Sequence, residues 1–186
     1  ISRLTARTFR SFEKRGAVAV STEDGATLMF DTDTGTPGTV TISQVSQGSK
    51  NRLEIAVDCV DGSYQFNQED PEKLVVSAIS GTTIVARSPE NFGSGEAKRL
   101  SVLPPGHPQG YQHAFDSFID DAYANFFRGA KRIVPSFEDG YRAAVLTAAV
   151  LESHSAQNWV VVSNFAGDSF GNLDSSHQSS PTSVIA

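Results

Sequence analysis

The first half of the chain alternates apolar and polar residues with a period of two. Leu53, Ile55, Val57 and Cys59 share one face of a run whose other face holds Glu54, Ala56 and Asp58. That is the pattern of a strand with one covered side. Arg3–Phe9, Ala17–Ser21, Thr27–Asp31, Thr39–Gln47 and Arg52–Val60 read as strands, followed by Ser63–Asn67, Lys73–Ile79 and Thr82–Ala86. Asp61-Gly62 is a tight-hairpin signal, and the Gly/Pro-rich stretch from Asp33 to Gly38 joins two more strands. Connections this short cannot carry the crossover of a parallel pair, so most pairing is expected to be antiparallel.

After a Gly/Pro-rich stretch from Pro89 to Gly110, the period changes to that of helices. From Gln109 to Phe127, residues Tyr111, Ala114, Phe115, Phe118, Ala122, Tyr123 and Phe126 form one stripe at spacings of three and four. Arg128-Gly129 stops that helix. Ser136 is placed as the N-cap of a second helix, with Asp139 in capping-box position and Tyr141, Ala144, Val145, Ala148 and Leu151 inward. A short strand closes the pattern at Trp159–Val162. Strands followed by helices predict an α+β fold, a large open and mostly antiparallel sheet with helices on one face. The predicted division is one domain over residues 1–163 and a Ser/Gly-rich tail over 164–186.

Composition narrows the class. The chain has 186 residues, 39% hydrophobic and 19% charged, as in a globular domain. No apolar run approaches the ~18 residues that cross a bilayer, so a membrane partner is not expected. A net charge of -6 without a clustered basic face argues against nucleic acid. One cysteine, Cys59, excludes an internal disulfide and is expected as a small buried hydrophobe. With no signal-like opening, this points to a cytoplasmic protein. The start at Ile1, in the middle of what reads as a strand, suggests a fragment of a longer protein.

The sequence completes no familiar catalytic site. It has no G-x-G-x-x-G turn between strand and helix, no P-loop and no G-x-S-x-G elbow, and its four histidines lack metal-ligand spacing. Asp120-Asp121 reads as a solvated helix face, because adjacent helical residues point about 100° apart. Two polar groupings remain. Ser43–Leu53, SQVSQGSKNRL, is either edge and loop residues that deter edge pairing or a set of hydroxyl- or carboxylate-binding groups at a cleft rim. In Pro104–Gly110, PPGHPQG, His107 is either a surface histidine or a substrate-facing group on a stiff loop.

These segments resemble, in order, the C-terminal domain of the Gfo/Idh/MocA family of NAD(P)-dependent oxidoreductases. Thr22-Glu23-Asp24 resembles its TED-type segment, and SQVSQGSKNRLEI resembles the SQV-x-x-G-x-K-N-x-L stretch of a sugar-dehydrogenase-like branch. Phe66 to Leu74 looks like the following W-x-x-E-x-P-x-x-L, and GHPQGY like GH-x-x-G-[FY]. Pro135 to Gly140, Val150 to Ser153 and Trp159-Val160 look like P-x-F-x-D-G, A-x-L-x-S and the W-V ending. Gly25, where the family usually has an aromatic, and Phe66, in place of Trp, depart from the pattern.

The resemblance implies the C-terminal fold of the dihydrodipicolinate-reductase and glucose-fructose-oxidoreductase type. It implies a sugar or polyol substrate, and a homo-oligomer formed through the free sheet face. No cofactor is expected in this chain. NAD or NADP would be held by the parent protein's own N-terminal Rossmann domain, which would also precede the catalytic Asp and His, so the chain alone is expected to be inactive. Carried over by position, Gln44, Lys50, Asn51, Arg52 and His107 are the substrate-pocket candidates. A ligand-sensing or regulatory domain on the same fold is the alternative, and an independent hydrolase with an unmarked triad a third.

Overall fold

A computed structural model describes residues 1–92 and 95–165. Nearly all of the predicted tail, from residue 166 on, lies outside the described residues. The elements in chain order are β1 (Arg3–Phe9), β2 (Lys14–Arg15), β3 (Val18–Ala19), β4 (Gly25–Asp31) and β5 (Pro37–Ser43). Then come β6 (Glu54–Cys59), β7 (Gly62–Asn67), β8 (Lys73–Ala78) and β9 (Gly81–Ala86). Helices α1 (Gly95–Leu100), α2 (Tyr111–Arg128) and α3 (Phe137–Ala156) precede β10 (Val160–Val161) and a closing 3-10 turn, Val162–Phe165.

The α+β class and the antiparallel pairing are as expected, with every pairing among the described strands antiparallel. The strands form two four-stranded sheets and a two-stranded ribbon, in the orders β10-β1-β4-β5, β6-β7-β8-β9 and β2-β3. The chain divides into two compact units, one of residues 1–47 with 135–186, the other of residues 48–134.

In the first unit the register places Leu4 opposite Phe30 and Ala6 opposite Leu28, so the alternate residues of β1 and β4 share one face. Helix α3 covers that face, and Leu4, Ala6, Leu28, Val145, Ala149 and Val162 form the core. Burying a Leu4-sized side chain contributes about 1.5–3 kcal/mol, so this small cluster dominates the unit's stability. Ser136 caps α3 as expected: its Oγ accepts from the Asp139 amide at 3.2 Å, and the Asp139 carboxylate accepts from the Ser136 amide at 2.9 Å. The inward stripe runs through Tyr141, Val145, Ala149 and Ser153, so Leu151, expected inside, lies outside it at 42% exposure. Ser153 sits at full burial, where its Oγ accepts from the Ala6 amide at 2.9 Å and donates to the Asn158 carbonyl at 2.6 Å. Next to it, His154 Nδ1 accepts from the Thr8 amide at 3.2 Å. Two helix side chains thereby satisfy β1 donors beyond the end of β10, which reaches only as far as Leu4.

Two glycines in β4 and β5 face aromatic rings. Phe9 pairs with Gly25 and Phe30 with Gly38. A Cβ on Gly25 would overlap the Phe9 ring and the Ile42 carbonyl oxygen, whereas one on Gly38 would overlap only the Phe30 ring. The departure from the aromatic-rich family pattern at Gly25 thus has a local cause. The ring comes from the neighbouring strand, and the position beneath it must be bare.

The second unit is a meander followed by helices. Hairpin β6–β7 forms where expected, but its turn residues are Val60 and Asp61, and Gly62 pairs with Cys59 as the first residue of β7. Ile55, Phe66, Leu74 and Val85 line up across four strands, and Val57, Tyr64 and Val76 form a second row. This apolar face stands open, with Ile55 52% and Val57 50% exposed. Cys59 shares it and is exposed, against expectation: it ends its strand opposite Gly62, which has no side chain to cover it.

The α2 stripe is likewise exposed, with Phe126 at 83% and Tyr111 at 66%. Helical periodicity locates an apolar face without specifying what covers it. The buried α2 residues are instead Asp121 and Ala124. Asp121 therefore departs from the solvated reading. Its carboxylate takes two bonds from the Arg99 guanidinium at 2.9 and 2.7 Å, while Asp120 stays exposed and pairs with Arg128. The strand expected over Thr39–Gln47 also ends early, at Ser43, where the Gln44 amide turns to the Asp24 carbonyl at 2.8 Å.

Candidate functional site

In the second unit, the start of β6, the end of β7, the start of β8 and the end of β9 lie at one end of the sheet. That end is polar. Lys50, Asn51 and Arg52 precede β6, and the Glu69 carboxylate, from the turn after β7, accepts from the Lys50 and Asn51 amides at 3.2 and 2.9 Å. Arg52 donates to Glu54 at 2.9 Å, and the pairing holds the Glu54 carboxyl below its ordinary range. The Lys50 ammonium has no partner among the described residues. At the opposite edge, three strand spacings or about 14 Å away, β9 leads into Arg87 and the loop that carries His107.

That loop is tightly bonded. Arg87 donates to Glu72 Oε1 at 2.8 Å, Ser101 Oγ at 2.6 Å and the Leu103 carbonyl at 2.8 Å. It also reaches the carbonyls of His107 at 2.8 Å and Pro104 at 3.4 Å. Glu72 Oε1 accepts the Gln109 amide at 2.8 Å as well, and Arg87 first, then this amide, holds its carboxyl below the usual value. Gln109 Oε1 accepts from the Val102 and Leu103 amides, and its Nε2 donates to the Leu100 carbonyl. Gly106 takes φ +80°, the left-handed region that lets the chain reverse under His107. The His107 ring stays exposed, with Nδ1 3.4 Å from the Pro105 carbonyl.

Four sequence candidates, Lys50, Asn51, Arg52 and His107, therefore share one end of one sheet, at its two edges. The fifth, Gln44, belongs to the first unit. Glu72, Arg87 and Gln109 were not singled out from the sequence. Glu72 and Gln109 stand at unspecified positions of two noticed motifs, and Arg87 in none. Arg87 meets Glu72 from 15 positions away, a spacing that no local pattern encodes.

Two shallow grooves exist elsewhere. One of about 430 Å³ runs past Arg99, His113, Asp116, Asp120 and Arg132, and another of about 180 Å³ past Thr8, Glu23 and His154. Charges in the first are already committed: Arg99 to Glu96 and Asp121, Asp120 to Arg128, Asp116 to Gln112. No group of three His, Cys, Asp or Glu side chains among the described residues could hold a metal ion.

No family model matches the chain. It is 26% identical over 151 residues to the levoglucosan dehydrogenase of Pseudarthrobacter phenanthrenivorans, covering 77% of this chain and 37% of that protein. An oxidoreductase from Sinorhizobium meliloti superposes with a TM-score of 0.73 at 26% identity, over 85% of this chain and 45% of that one. In sequence and fold the chain is similar to one part of such oxidoreductases. A levoglucosan dehydrogenase solved with NADH and levoglucosan agrees, with a TM-score of 0.77 at 25% identity over 86% of this chain and 44% of that one. The chain spans less than half the length of the relatives it matches. Its sequence contains no glycine-rich strand-to-helix turn of the kind that cradles a dinucleotide.

Proposed function

We propose that residues 1–163 are the substrate-binding and oligomerisation domain of an NAD(P)-dependent sugar or polyol oxidoreductase acting in the cytoplasm. In this reading, an N-terminal Rossmann domain of the full-length protein supplies cofactor and catalytic pair. The observation that carries the reading is the joint likeness in sequence and fold to levoglucosan dehydrogenase. The polar end of the β6–β9 sheet supports it in chemical terms. A polyol needs many directed hydrogen bonds of both senses, and Lys50, Asn51, Arg52 and His107 offer donors and acceptors without a strong net field. Gln44 is assigned to the same substrate. The open apolar face bearing Ile55, Val57, Tyr64 and Leu74 is assigned to self-association, since contiguous exposed apolar surface of this kind marks an interface. Hydride transfer belongs to the cofactor, and this chain's part is to bind and orient.

The test is turnover by the full-length protein with levoglucosan or myo-inositol and NAD+ or NADP+, read by nicotinamide absorbance. Turnover of at least one of them is expected, with Lys50→Ala and His107→Ala raising KM. Calorimetry showing tight nicotinamide binding by residues 1–186 alone would sink the reading. A strictly monomeric mass by light scattering would sink its oligomer half.

A further inference from the structure

The Arg87 side chain is 9% exposed, and it touches the candidate His107 only at its backbone carbonyl. A guanidinium has five N–H donors in a rigid plane. Here all five are used, on Glu72, Ser101, Leu103, Pro104 and His107. Three of those acceptors are backbone carbonyls of one loop, and the last belongs to His107 itself. Gln109 closes the same loop from its other end, through its amide to Glu72 and its side chain to the backbone at 100, 102 and 103. A long Gly/Pro-rich connection ordinarily loses much entropy when it is ordered. This one is ordered in advance around a single, largely covered guanidinium.

We infer that Arg87 is a positioning residue, acting through its grip on the His107 carbonyl to fix the His107 ring for substrate. The inference rests on the proposed substrate-facing role of His107 and adds the device that holds it. Because the loop is preset, substrate would bind without first ordering it, and the benefit appears in binding. Arg87→Lys keeps the charge and the stem but cannot reproduce a planar five-donor fork. It therefore releases the loop while leaving the sheet intact.

The experiment is a double-mutant cycle in the full-length protein, with levoglucosan and NAD+ as the probe, comparing wild type, R87K, H107A and the double variant. R87K is expected to raise KM by roughly tenfold to a hundredfold, the scale of an ångström-level misplacement, with little change in kcat. In the H107A background the same change should add almost nothing, because the residue it positions is gone. Hydrogen exchange should quicken over 101–109 in R87K and stay unchanged in β6–β8. Additive effects in the cycle, or an unchanged KM with quickened exchange, overturn the positioning role while leaving the substrate reading intact. An H107A variant with normal KM overturns both. Absence of turnover by the wild type fails the proposed function, and the positioning role with it. Should R87K fail to fold, Ser101→Ala removes one acceptor and leaves the guanidinium in place. It should give a smaller rise in KM, absent from the H107A background, and additivity there would count equally against the inference.

Discussion

Ser153→Ala removes one oxygen from a site with no solvent access. The Ser153 Oγ takes the Ala6 amide at 2.9 Å and gives its proton to the Asn158 carbonyl at 2.6 Å. Ala6 is 5% exposed, so its N–H has no water to turn to, and a stranded buried donor costs about 1–3 kcal/mol. Asn158 is exposed, so its carbonyl regains water and loses only an ordinary net bond, about 0.5–1.5 kcal/mol. The sum is about 1.5–4.5 kcal/mol. At about 2–4 °C per kcal/mol for a chain of this size, Tm should fall by roughly 3–18 °C. Trp159, the single tryptophan, lies in the first unit with the Arg3 guanidinium 4.8 Å from its ring centroid. Its fluorescence in a urea titration therefore reports the unit that the substitution damages. The midpoint should drop while the slope stays constant, since the surface exposed on unfolding barely changes. A loss below about 0.5 kcal/mol would show that the Ala6 amide finds another partner, and the account of β1's edge would be wrong.

Gly25→Ala and Gly38→Ala should differ, although both glycines face rings. The first drives a Cβ into the Ile42 backbone as well as Phe9, and should cost about 1–3 kcal/mol by urea melt; the second meets only a ring that can turn, and should cost less. Arg87 and the Gln109 amide hold the folded Glu72 carboxyl below the ordinary glutamate value, so its contribution is full above that value and is lost as pH falls through the lower folded one. Exchange protection at 101–109, relative to the intrinsic rate at each pH, should fall on acidification through that window, and Glu72→Gln should flatten that dependence. Cys59 should react with a thiol reagent under native conditions at low protein concentration and be protected as concentration rises, if its sheet face is where copies meet. Failure to react at any concentration refutes its exposure.

Strand identity was readable wherever two neighbours imposed alternation. β1 matches its predicted span and Ser136 caps its helix as its local chemistry requires, whereas the hairpin signalled by Asp61-Gly62 turns one residue earlier, at Val60-Asp61. The residues at Lys50–Arg52 and His107 were readable as polar interruptions in apolar or stiff segments. What escaped was everything set by distant pairing. Arg99 buries Asp121 from 22 positions away, and Arg87 meets loop carbonyls up to 20 positions on. The layer facing α2 has no local signature, so its aromatic stripe could not be assigned a neighbour from spacing alone.

The first unit draws on both ends of the chain, β1 pairing with β10, while residues 48–134 form the other without interruption. During synthesis this order has a consequence. The β6–β9 meander joins each strand to the next and can pair as soon as it emerges, with short loops to close. β1, β4 and β5 are made before the meander but wait for α3 and β10 before Leu4, Ala6 and Leu28 are covered. Until then they would form a three-stranded sheet with an apolar face and an open edge, the kind of surface chaperones hold. A ribosome stalled before Ser136 should thus carry a finished meander and an unfinished core, which only α3 and β10 complete.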